Sequence, residues 1–521
     1  MSSPRPTDRP PAPPTVLEPE IADLRADLGD ADYTVDGLAR ALGSVASAAL
    51  HREQPLPALR VTARPGAGSA ALLCRLFPLG QAVPVPDLDA ALPRTGARGL
   101  LRLGLVERDD EGAGEAEGST AGHDLVRATC DLRPYGTEQY MWWVVSDRSE
   151  IATGGPLSTE HVLGVGGASS TLAGWTPRPR VERALDLGTG CGVQVLHLAG
   201  HTTYRTASDL SERALAFARV TLAMNGVEAD LRAGSLLEPV SGEQFDLIVS
   251  NPPFVITPRR DDVPRYEYRD GGRAGDALVA DLVADLAAQL RPGGIAQLLA
   301  NWELVEGEDW SEHVHGWLRG TGLDAWVVQR EVQDVAEYAE TWARDGGHRS
   351  GTPGFDALYA AWLDDFAARG VDRVGFGVVT LQRPGSGREP WRHLEHVPTP
   401  VAGPMGPVVL AGLRARTWLA EHPDDELLDT PWQVAADVTE ERVGRPGADD
   451  PQVIQLRQGG GLRRTVRLDT LAAGLVGACD GELTARQLCS GLAVLTEQPS
   501  AQVVSAVLPV LRELVADGLL H

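Results

Sequence analysis

Lysine is absent from this 521-residue sequence, so all 47 of its basic residues are arginine. They face 72 aspartate and glutamate residues, and the formal net charge is −25. A protein with so much negative charge is a poor non-specific binder of nucleic acid, because such binding needs a positive field. A local arginine patch remains compatible with this composition.

Cysteine and long apolar runs are also scarce. The five cysteines are scattered, and no CxxC pair or Cys/His cluster has the spacing of a metal site. We therefore expect reduced thiols in a cytoplasmic protein and no bound metal. No apolar run reaches transmembrane length, and the first residues lack the apolar core of a signal peptide, so we expect neither a membrane span nor secretion.

The chain is long enough for about three domains. Proline and polar residues at 1–18 predict a disordered tail. Short helices followed by a β-hairpin predict a winged-helix-like α+β domain at 19–148, a module that can bind nucleic acid, dimerise or present substrates. Alternating strands and helices predict an α/β domain at 149–384. A second winged-helix-like module is predicted at 385–521.

The stretch from His161 to Trp175, HVLGVGGASSTLAGW, is rich in glycine, serine and threonine. Its pattern is too irregular to predict a helix. It precedes the first strand of the α/β domain, so it is either a linker or a loop that covers a ligand.

The most informative stretch is FDLIVSNPPF, which begins at Phe245. Its apolar start predicts a buried parallel strand, and the double proline ends that strand because proline has no N–H to donate. The strand's carboxyl end, where α/β sheets bind ligands, carries Asn251, Pro252, Pro253 and Phe254. The Asn251 oxygen and the Pro252 carbonyl can accept both hydrogens of an NH2 group, and Phe254 can stack on a planar group. The alternative is a proline turn capped by Asn251.

A second motif, DLGTGCG, begins at Asp186 after the strand VERALDL. Its glycines permit a tight turn that lets the backbone approach a ligand. The next predicted strand ends at Asp209, where an acidic side chain can bind ribose hydroxyls. A third strand, ADLRAGSLLEP, ends near Ser235.

In order and spacing, DLGTGCG, Asp209, GSLLEP and SNPPF resemble the class I S-adenosylmethionine-dependent methyltransferases. The resemblance extends to those with (D/N)PP(Y/F), which include HemK-type release-factor glutamine, ribosomal RNA guanine-N2 and adenine-N6 DNA methyltransferases. It spans about residues 157–384 and implies a Rossmann-like sheet of seven strands that binds S-adenosyl-L-methionine.

The resemblance also implies roles for individual residues. Asp186, Gly188, Gly190 and Gly192 would line the methionine part of the cofactor, Asp209 would hold the ribose, and Ser235 and Leu236 would flank the adenine. Thr189, Leu210 and Asn251 complete the expected cofactor site. Asn251, Pro252 and Phe254 would be catalytic.

The segment after Phe254, VITPRRDDVPRYEYRDGGRAGD, interleaves arginines with tyrosines. Its position predicts a substrate loop, in which Pro253, Phe254, Arg269 and Arg273 contact the acceptor. A solvated connector whose arginines meet nearby acidic residues is the alternative. Its GGRAGD portion resembles the corresponding segment of HemK-type enzymes.

Together these features predict an N-methyltransferase that acts on a planar NH2 of the translation machinery. The acceptor is a protein glutamine amide, on a release factor or ribosomal protein, or a base amine of RNA or DNA. Because the leaving group is a cationic sulfur, catalysis is mainly positioning and needs no metal. A small-molecule methyltransferase and a non-catalytic cofactor-binding module are the alternatives.

Overall fold

The computed structural model describes residues 10–109, 124–136, 140–154, 157–261, 263–385, 387–447 and 450–521. The first nine residues of the predicted disordered tail lie outside these ranges. Residues 10–17 differ from that prediction, because they lie against the protein. The Thr15 N–H donates to the Leu103 carbonyl at 2.9 Å, and the Pro11 carbonyl accepts from Arg213 at 2.6 Å.

The N-terminal region contains short helices, a small antiparallel sheet and a hairpin. Its elements are α1 Glu18–Asp30, α2 Val35–Leu50, α3 Leu56–Thr62, α4 Ser69–Leu76, β1 Val83–Pro84, α5 Val85–Ala91, α6 Gly96–Leu103, β2 Val106–Arg108, β3 Leu125–Ala128, β4 Asp131–Gly136, β5 Met141–Ser146 and α7 Glu150–Thr153. The sheet has the order β1-β3-β2, and β4 pairs with β5. The winged-helix assignment of this region stays a prediction.

The central region is built on one mixed sheet with helices packed against it. Its elements are α8 Gly167–Trp175, β6 Val181–Leu187, α9 Val193–Ala199, β7 Thr202–Asp209, α10 Glu212–Asn225, β8 Asp230–Ala233, β9 Phe245–Ser250, α11 Ala277–Gln289, β10 Leu290–Val305, α12 Trp310–Trp317, β11 Asp324–Asp334, α13 Val335–Asp345, α14 Pro353–Arg369, β12 Val371–Gln382 and β13 Arg392–His396.

The strand order of this sheet is β13-β11-β12-β10-β9-β6-β7-β8. The strands from β6 to β10 are parallel, and β12 is antiparallel to both of its neighbours. The predicted Rossmann-like sheet is thus present, but it has eight strands instead of seven. The extra strand, β13, pairs with β11 from beyond the predicted domain boundary at 384, so this edge of the sheet belongs to the following segment.

The prediction that residues 161–175 are too irregular for a helix is wrong over 167–175, because these residues form α8. Leu172 and Trp175 are buried in an apolar cluster with Leu247 and Val249 of β9. Tertiary burial of this kind overrides the poor helix propensity of glycine and serine.

Two helices inserted between β11 and β12, α13 and α14, form a roof over the segment that follows β9. Their apolar side chains share a cluster with Val255 and Ile256. The Tyr338 hydroxyl accepts a hydrogen bond from the Ile256 N–H at 2.9 Å, and the Trp362 indole N–H donates to the Ile256 carbonyl at 2.7 Å. Residues 255–258, directly after the NPPF motif, are therefore buried and fixed to the roof, whereas Arg265 and residues 272–274 further along the segment are exposed.

The N-terminal hairpin is joined to α10 through two side chains of that helix. Asn225 accepts from the Trp143 N–H at 3.0 Å and donates to the Trp143 carbonyl at 2.8 Å. One turn earlier, the Thr221 hydroxyl accepts from the Val145 N–H at 3.1 Å. These side chains form hydrogen bonds with backbone groups on the free edge of β5, as a neighbouring strand would. The hairpin and the central sheet therefore pack as one unit.

The C-terminal region adds helices and a three-stranded antiparallel sheet of order β14-β15-β16. Its elements are α15 Met405–Glu421, α16 Asp424–Leu428, β14 Val438–Val443, β15 Val453–Gln458, β16 Thr465–Leu468, α17 Thr470–Val476, α18 Ala485–Leu495 and α19 Ser500–Ala516. Strands β15 and β16 form an antiparallel hairpin whose turn contains Gly459–Gly461. The winged-helix assignment again stays a prediction. Among the described helices of the whole chain, none has the length and apolarity needed to cross a membrane.

Candidate functional site

Four neighbouring parallel strands bring the predicted site residues to one edge of the sheet. In register, Leu187 of β6 stands beside Ser208 of β7 and Ser250 of β9. Asp209 pairs with Ala233 of β8, and its carbonyl accepts from the Gly234 N–H at 3.0 Å. The turns that begin at Gly188, Leu210, Gly234 and Asn251 therefore lie side by side at the carboxyl end of the sheet.

The glycine turn after β6 adopts backbone angles that favour glycine. Gly188, Gly190 and Gly192 have φ values of 75°, 53° and 86°. A Cβ at Gly192 would come within 3.3 Å of Ala218 on α10, so the turn also lies close to that helix. Thr189 is buried within this turn, and its N–H donates to the Ser208 carbonyl at 3.0 Å.

Asp186 lies beneath this turn and is almost completely buried. One carboxylate oxygen accepts from the Thr189 hydroxyl at 2.6 Å, and the other has no hydrogen-bond partner among the described residues. Burial raises the pKa of Asp186 to about 7, and the nearby Asp209 adds to this shift. A buried carboxylate oxygen without a partner is a ready acceptor for a cationic or hydroxyl-bearing ligand.

Asp209 connects two of the turns. Its carboxylate accepts from the Gly190 N–H at 2.8 Å and from the Ser211 N–H at 2.9 Å. Burial raises its pKa, while the backbone hydrogen bonds oppose that shift. Ser211 is the N-cap residue of α10, although its side chain makes no capping bond.

The remaining predicted cofactor residues lie at the rim of the same edge. Leu210 is 69% exposed next to Asp209. Ser235 and Leu236 follow β8 and are half-buried, and Leu236 has a left-handed φ of 45°. The structure thus brings every predicted cofactor residue to the carboxyl ends of β6 to β9.

Asn251 follows the most central of these strands. Its side-chain oxygen is buried and has no hydrogen-bond partner in the described part of the chain. The preceding Ser250 hydroxyl donates to the Leu187 carbonyl at 2.8 Å, which fixes the strand tip against β6. The Pro252 carbonyl accepts from the Phe254 N–H at 2.7 Å, so the two prolines form a tight turn. One lone pair of the Pro252 oxygen is therefore already used.

Phe254 is half-buried where the sheet meets the roof. Its ring contacts Trp342 of α13 edge-to-face, with 6.4 Å between the ring centroids. Sequence reasoning missed Trp342 and Tyr338 as neighbours of the NPPF motif. No local signal could have found them, because they lie more than eighty residues further along the chain.

The position of Arg269 does not fit its predicted role as a substrate contact. Its side chain is only 4% exposed, and it donates to Asp345 at 2.7 Å and to the Trp342 carbonyl at 2.8 Å. Its guanidinium also lies over the ring of Tyr266, 4.4 Å from the centroid. Through these contacts, Arg269 holds the loop against the roof. Arg273, in contrast, is exposed and pairs with Asp281 at 3.4 Å.

The described residues contain no group of three or more histidine, cysteine or acidic side chains that could hold a metal. His313 instead pairs with Asp276 at 2.7 Å, and this hydrogen bond raises the pKa of His313.

Comparison with known proteins gives three family matches. The family described as Methyltransferase small domain matches residues 164–308. Two domains of unknown function, DUF7059 and DUF7782, match residues 30–116 and 411–521.

Curated relatives carry two kinds of name. The release factor glutamine methyltransferase of Deinococcus radiodurans is 33% identical over 222 residues, which are 41% of this chain and 77% of the relative. The ribosomal RNA small subunit methyltransferase C of an Enterobacter species is 33% identical over 180 residues, which are 34% of this chain and 48% of the relative.

The parallel strand order, the glycine turn and the acidic strand tips together define a class I methyltransferase fold. Within that class, the chain belongs to the S-adenosylmethionine-dependent methyltransferases that carry the small methyltransferase domain. The described site fits the cofactor. The glycine turn leaves room for a close approach, and the unpaired oxygen of Asp186 can accept a hydrogen bond from a charged amine.

Proposed function

We propose that this enzyme methylates the nitrogen of a primary amide on a protein, a glutamine side chain of the translation machinery. The observation that carries the proposal is the buried side-chain oxygen of Asn251, which lies at the strand tip beside the glycine turn and has no hydrogen-bond partner among the described residues. A buried acceptor without a partner is costly, so its retention at this edge supports a role in holding a ligand N–H.

The chemistry follows from what the residues can hold. When bound, S-adenosylmethionine supplies an electrophilic methyl carbon on a cationic sulfur. Asn251 accepts one N–H of the acceptor, which turns the nitrogen lone pair toward that carbon, and Phe254 supports the flat amide. The second N–H needs another acceptor, and the motif itself offers the Pro252 carbonyl, one lone pair of which already receives the Phe254 N–H. The rate gain comes mainly from orientation, and the proton leaves to solvent after the bond forms.

The cofactor contacts are proposed residue by residue. Asp186 and the turn Gly188–Gly192, including Thr189, would hold the methionine part, and Asp209 with Leu210 would hold the ribose. Ser235 and Leu236 would flank the adenine. The side-by-side positions of these turns support this assignment.

Ion pairing within the loop after Phe254 favours a protein acceptor over a nucleic acid. Four of its arginines have carboxylate partners, which are Arg259 with Asp270, Arg260 with Asp364, Arg269 with Asp345 and Arg273 with Asp281. Paired guanidinium groups offer little net positive field to a phosphate backbone. The net charge of −25 likewise disfavours a nucleic-acid acceptor.

The compartment proposed for the enzyme is the cytoplasm, where a translation-factor or ribosomal-protein acceptor would be found. All five cysteines are free and buried in the structure, which supports a reducing environment.

A base amine of ribosomal RNA is the second candidate acceptor. The likeness to a ribosomal RNA small subunit methyltransferase C, 33% identical over 180 residues, favours it. A base inside a duplex would have to be flipped out to reach Asn251.

One labelling experiment separates these functions. The full-length enzyme is incubated with methyl-labelled S-adenosylmethionine and an extract of source cells that lack its gene, and the extract is then treated with protease or with ribonuclease. We expect protease-sensitive label that is recovered as N-methylglutamine after enzymatic digestion of the protein. Label in RNA would support the second candidate and contradict the first, and label in small metabolites would indicate a small-molecule methyltransferase. Cofactor binding without any transfer would indicate a non-catalytic module.

A further inference from the structure

A second unpaired amide oxygen lies on the strand next to Asn251. Asn301 of β10 is fully buried, and its amide nitrogen donates to the Tyr338 hydroxyl at 3.1 Å. Its side-chain oxygen has no hydrogen-bond partner within the described ranges. The hydrogen-bonding capacity of this buried side chain is thus only half used.

The strand register places this residue at the same edge and on the same face as Asn251. Gln297 pairs with Val249, and Leu298 pairs with Ser250, the last residue of β9. Continued upward, this register sets Leu299 beside Asn251 and Asn301 two positions further along, level with Pro253. Because side chains alternate between the faces of a strand, Val249, Asn251, Gln297 and Asn301 belong to one face.

The Tyr338 hydroxyl links Asn301 to the NPPF segment. The same hydroxyl that accepts from Asn301 also accepts from the Ile256 N–H at 2.9 Å, only two residues after Phe254. Tyr338 is itself fully buried, which fixes both partners in place. A single group, the Tyr338 hydroxyl, therefore joins the Asn301 amide to the segment that follows the NPPF motif.

We propose that Asn301 is a second acceptor for the NH2 group that undergoes methylation, beside Asn251. An NH2 group presents two hydrogens, and each needs an acceptor once water is excluded. The Pro252 carbonyl already receives the Phe254 N–H, whereas the side-chain oxygens of Asn251 and Asn301 have no hydrogen-bond partner among the residues that the structure describes. This inference rests on the proposed function, because only an amine or amide acceptor has two N–H groups to satisfy.

Turnover and stability of three variants test the inference. Asn301→Leu removes the oxygen while it keeps a similar volume, and Asn301→Asp keeps an oxygen. Gln297→Leu is the matched control, because Gln297 is another buried amide on the same face with an unpaired atom, two residues below the tip. All three are measured as full-length protein with the labelled extract described above.

We expect Asn301→Leu to lower the turnover rate on the order of 10²-fold with unchanged calorimetric affinity for S-adenosylmethionine. Its melting temperature should not fall below that of Gln297→Leu, and Asn301→Asp should recover much of the turnover. Wild-type turnover in Asn301→Leu would overturn the inference. If Asn301→Leu does not fold, Asn301→Asp decides the question, since a folded Asp variant without turnover also overturns it.

Asn251→Ala in the same assay separates the failure of this inference from failure of the proposed function. If Asn251→Ala loses turnover and Asn301→Leu keeps it, only the role of Asn301 is wrong. If both variants keep turnover, the NH2-binding function itself is wrong.

Discussion

The Thr189 hydroxyl donates to one oxygen of Asp186 at 2.6 Å, while the other oxygen of that carboxylate is buried and has no hydrogen-bond partner in the described part of the chain. The pair lies directly beneath the glycine turn, and burial raises the pKa of Asp186 to about 7. The carboxyl group therefore changes its charge near neutral pH at the place where we propose that the cationic cofactor binds.

The first prediction is a pH-dependent affinity for the cofactor. Asp186 is largely protonated below pH 7, and only its ionised form attracts the positive charges of S-adenosylmethionine. Affinity should therefore rise with pH, by up to about tenfold per pH unit below that value, and binding should release protons. Calorimetry in buffers with different ionisation enthalpies measures both effects.

Thr189→Val provides the control for this pH dependence. The Thr189 hydrogen bond lowers the pKa of Asp186, so its loss should raise that pKa and move the affinity midpoint to higher pH. Affinity that stays constant between pH 5.5 and 8 would contradict the assignment of Asp186.

The second prediction concerns Asp209. Asp209→Ala should weaken S-adenosylmethionine binding by about 1.5–3 kcal/mol, or roughly ten- to a hundredfold in affinity, because the ribose loses a charge-assisted hydrogen bond. The variant also loses the contacts to the N–H groups of Gly190 and Ser211. Asp209→Asn keeps one acceptor and should lie between the wild type and Asp209→Ala. Equal affinities in all three proteins would argue against Asp209 as the ribose ligand.

The third prediction concerns the boundary of the central domain. On sequence grounds, a chain shortened to about residues 157–384 should bind cofactor without turnover if the flanking modules only bind substrate, or be insoluble if they pack against it. The structure favours the second outcome, because α10 satisfies the free edge of β5 through Thr221 and Asn225, and both regions share an apolar cluster. We expect the shortened chain to aggregate. A soluble, cofactor-binding fragment would show that this interface is dispensable.

The fourth prediction contrasts two arginines of the loop. Arg269→Leu should lower both the melting temperature and turnover, because the Trp342 carbonyl loses this donor and Asp345 loses its guanidinium partner while it keeps the Tyr268 hydroxyl. Arg273→Leu should leave the melting temperature unchanged, because its ion pair with Asp281 is exposed. Its turnover measures the predicted substrate contact. Thermal melts that show equal destabilisation by both changes would contradict the assignment of Arg269.

The cofactor edge could be predicted because its signals are local. Each strand and the turn that follows it are adjacent in sequence, as with Asp186 before the glycines and Val249 before Asn251. Parallel strands then bring their carboxyl ends together, so the cluster of turns follows from the fold class.

The roof and its contacts could not be predicted in this way. Ile256 and Tyr338 meet across 82 positions of sequence, and neither residue has a local pattern that marks the contact. Arg269 lies in a segment whose arginines and tyrosines are typical of a substrate loop. Only its burial against Asp345 shows that it has a structural role. Likewise, α8 forms because the apolar cluster buries Leu172 and Trp175, which outweighs its glycines.

The Asn251 oxygen, buried and unpaired, is the central feature of the proposed mechanism. The turnover of Asn251→Ala in the full-length enzyme, measured with the labelled extract, tests that mechanism most directly. The transition state needs an oriented nitrogen more than the ground state does, so turnover should fall about 10²–10³-fold. Cofactor affinity should stay near that of the wild type. Asn251→Asp should retain more activity than Asn251→Ala, and Phe254→Tyr more than Phe254→Ala. An Asn251→Ala enzyme that transfers methyl groups at the wild-type rate, or that no longer folds, would show that the NPPF tip is only a structural turn.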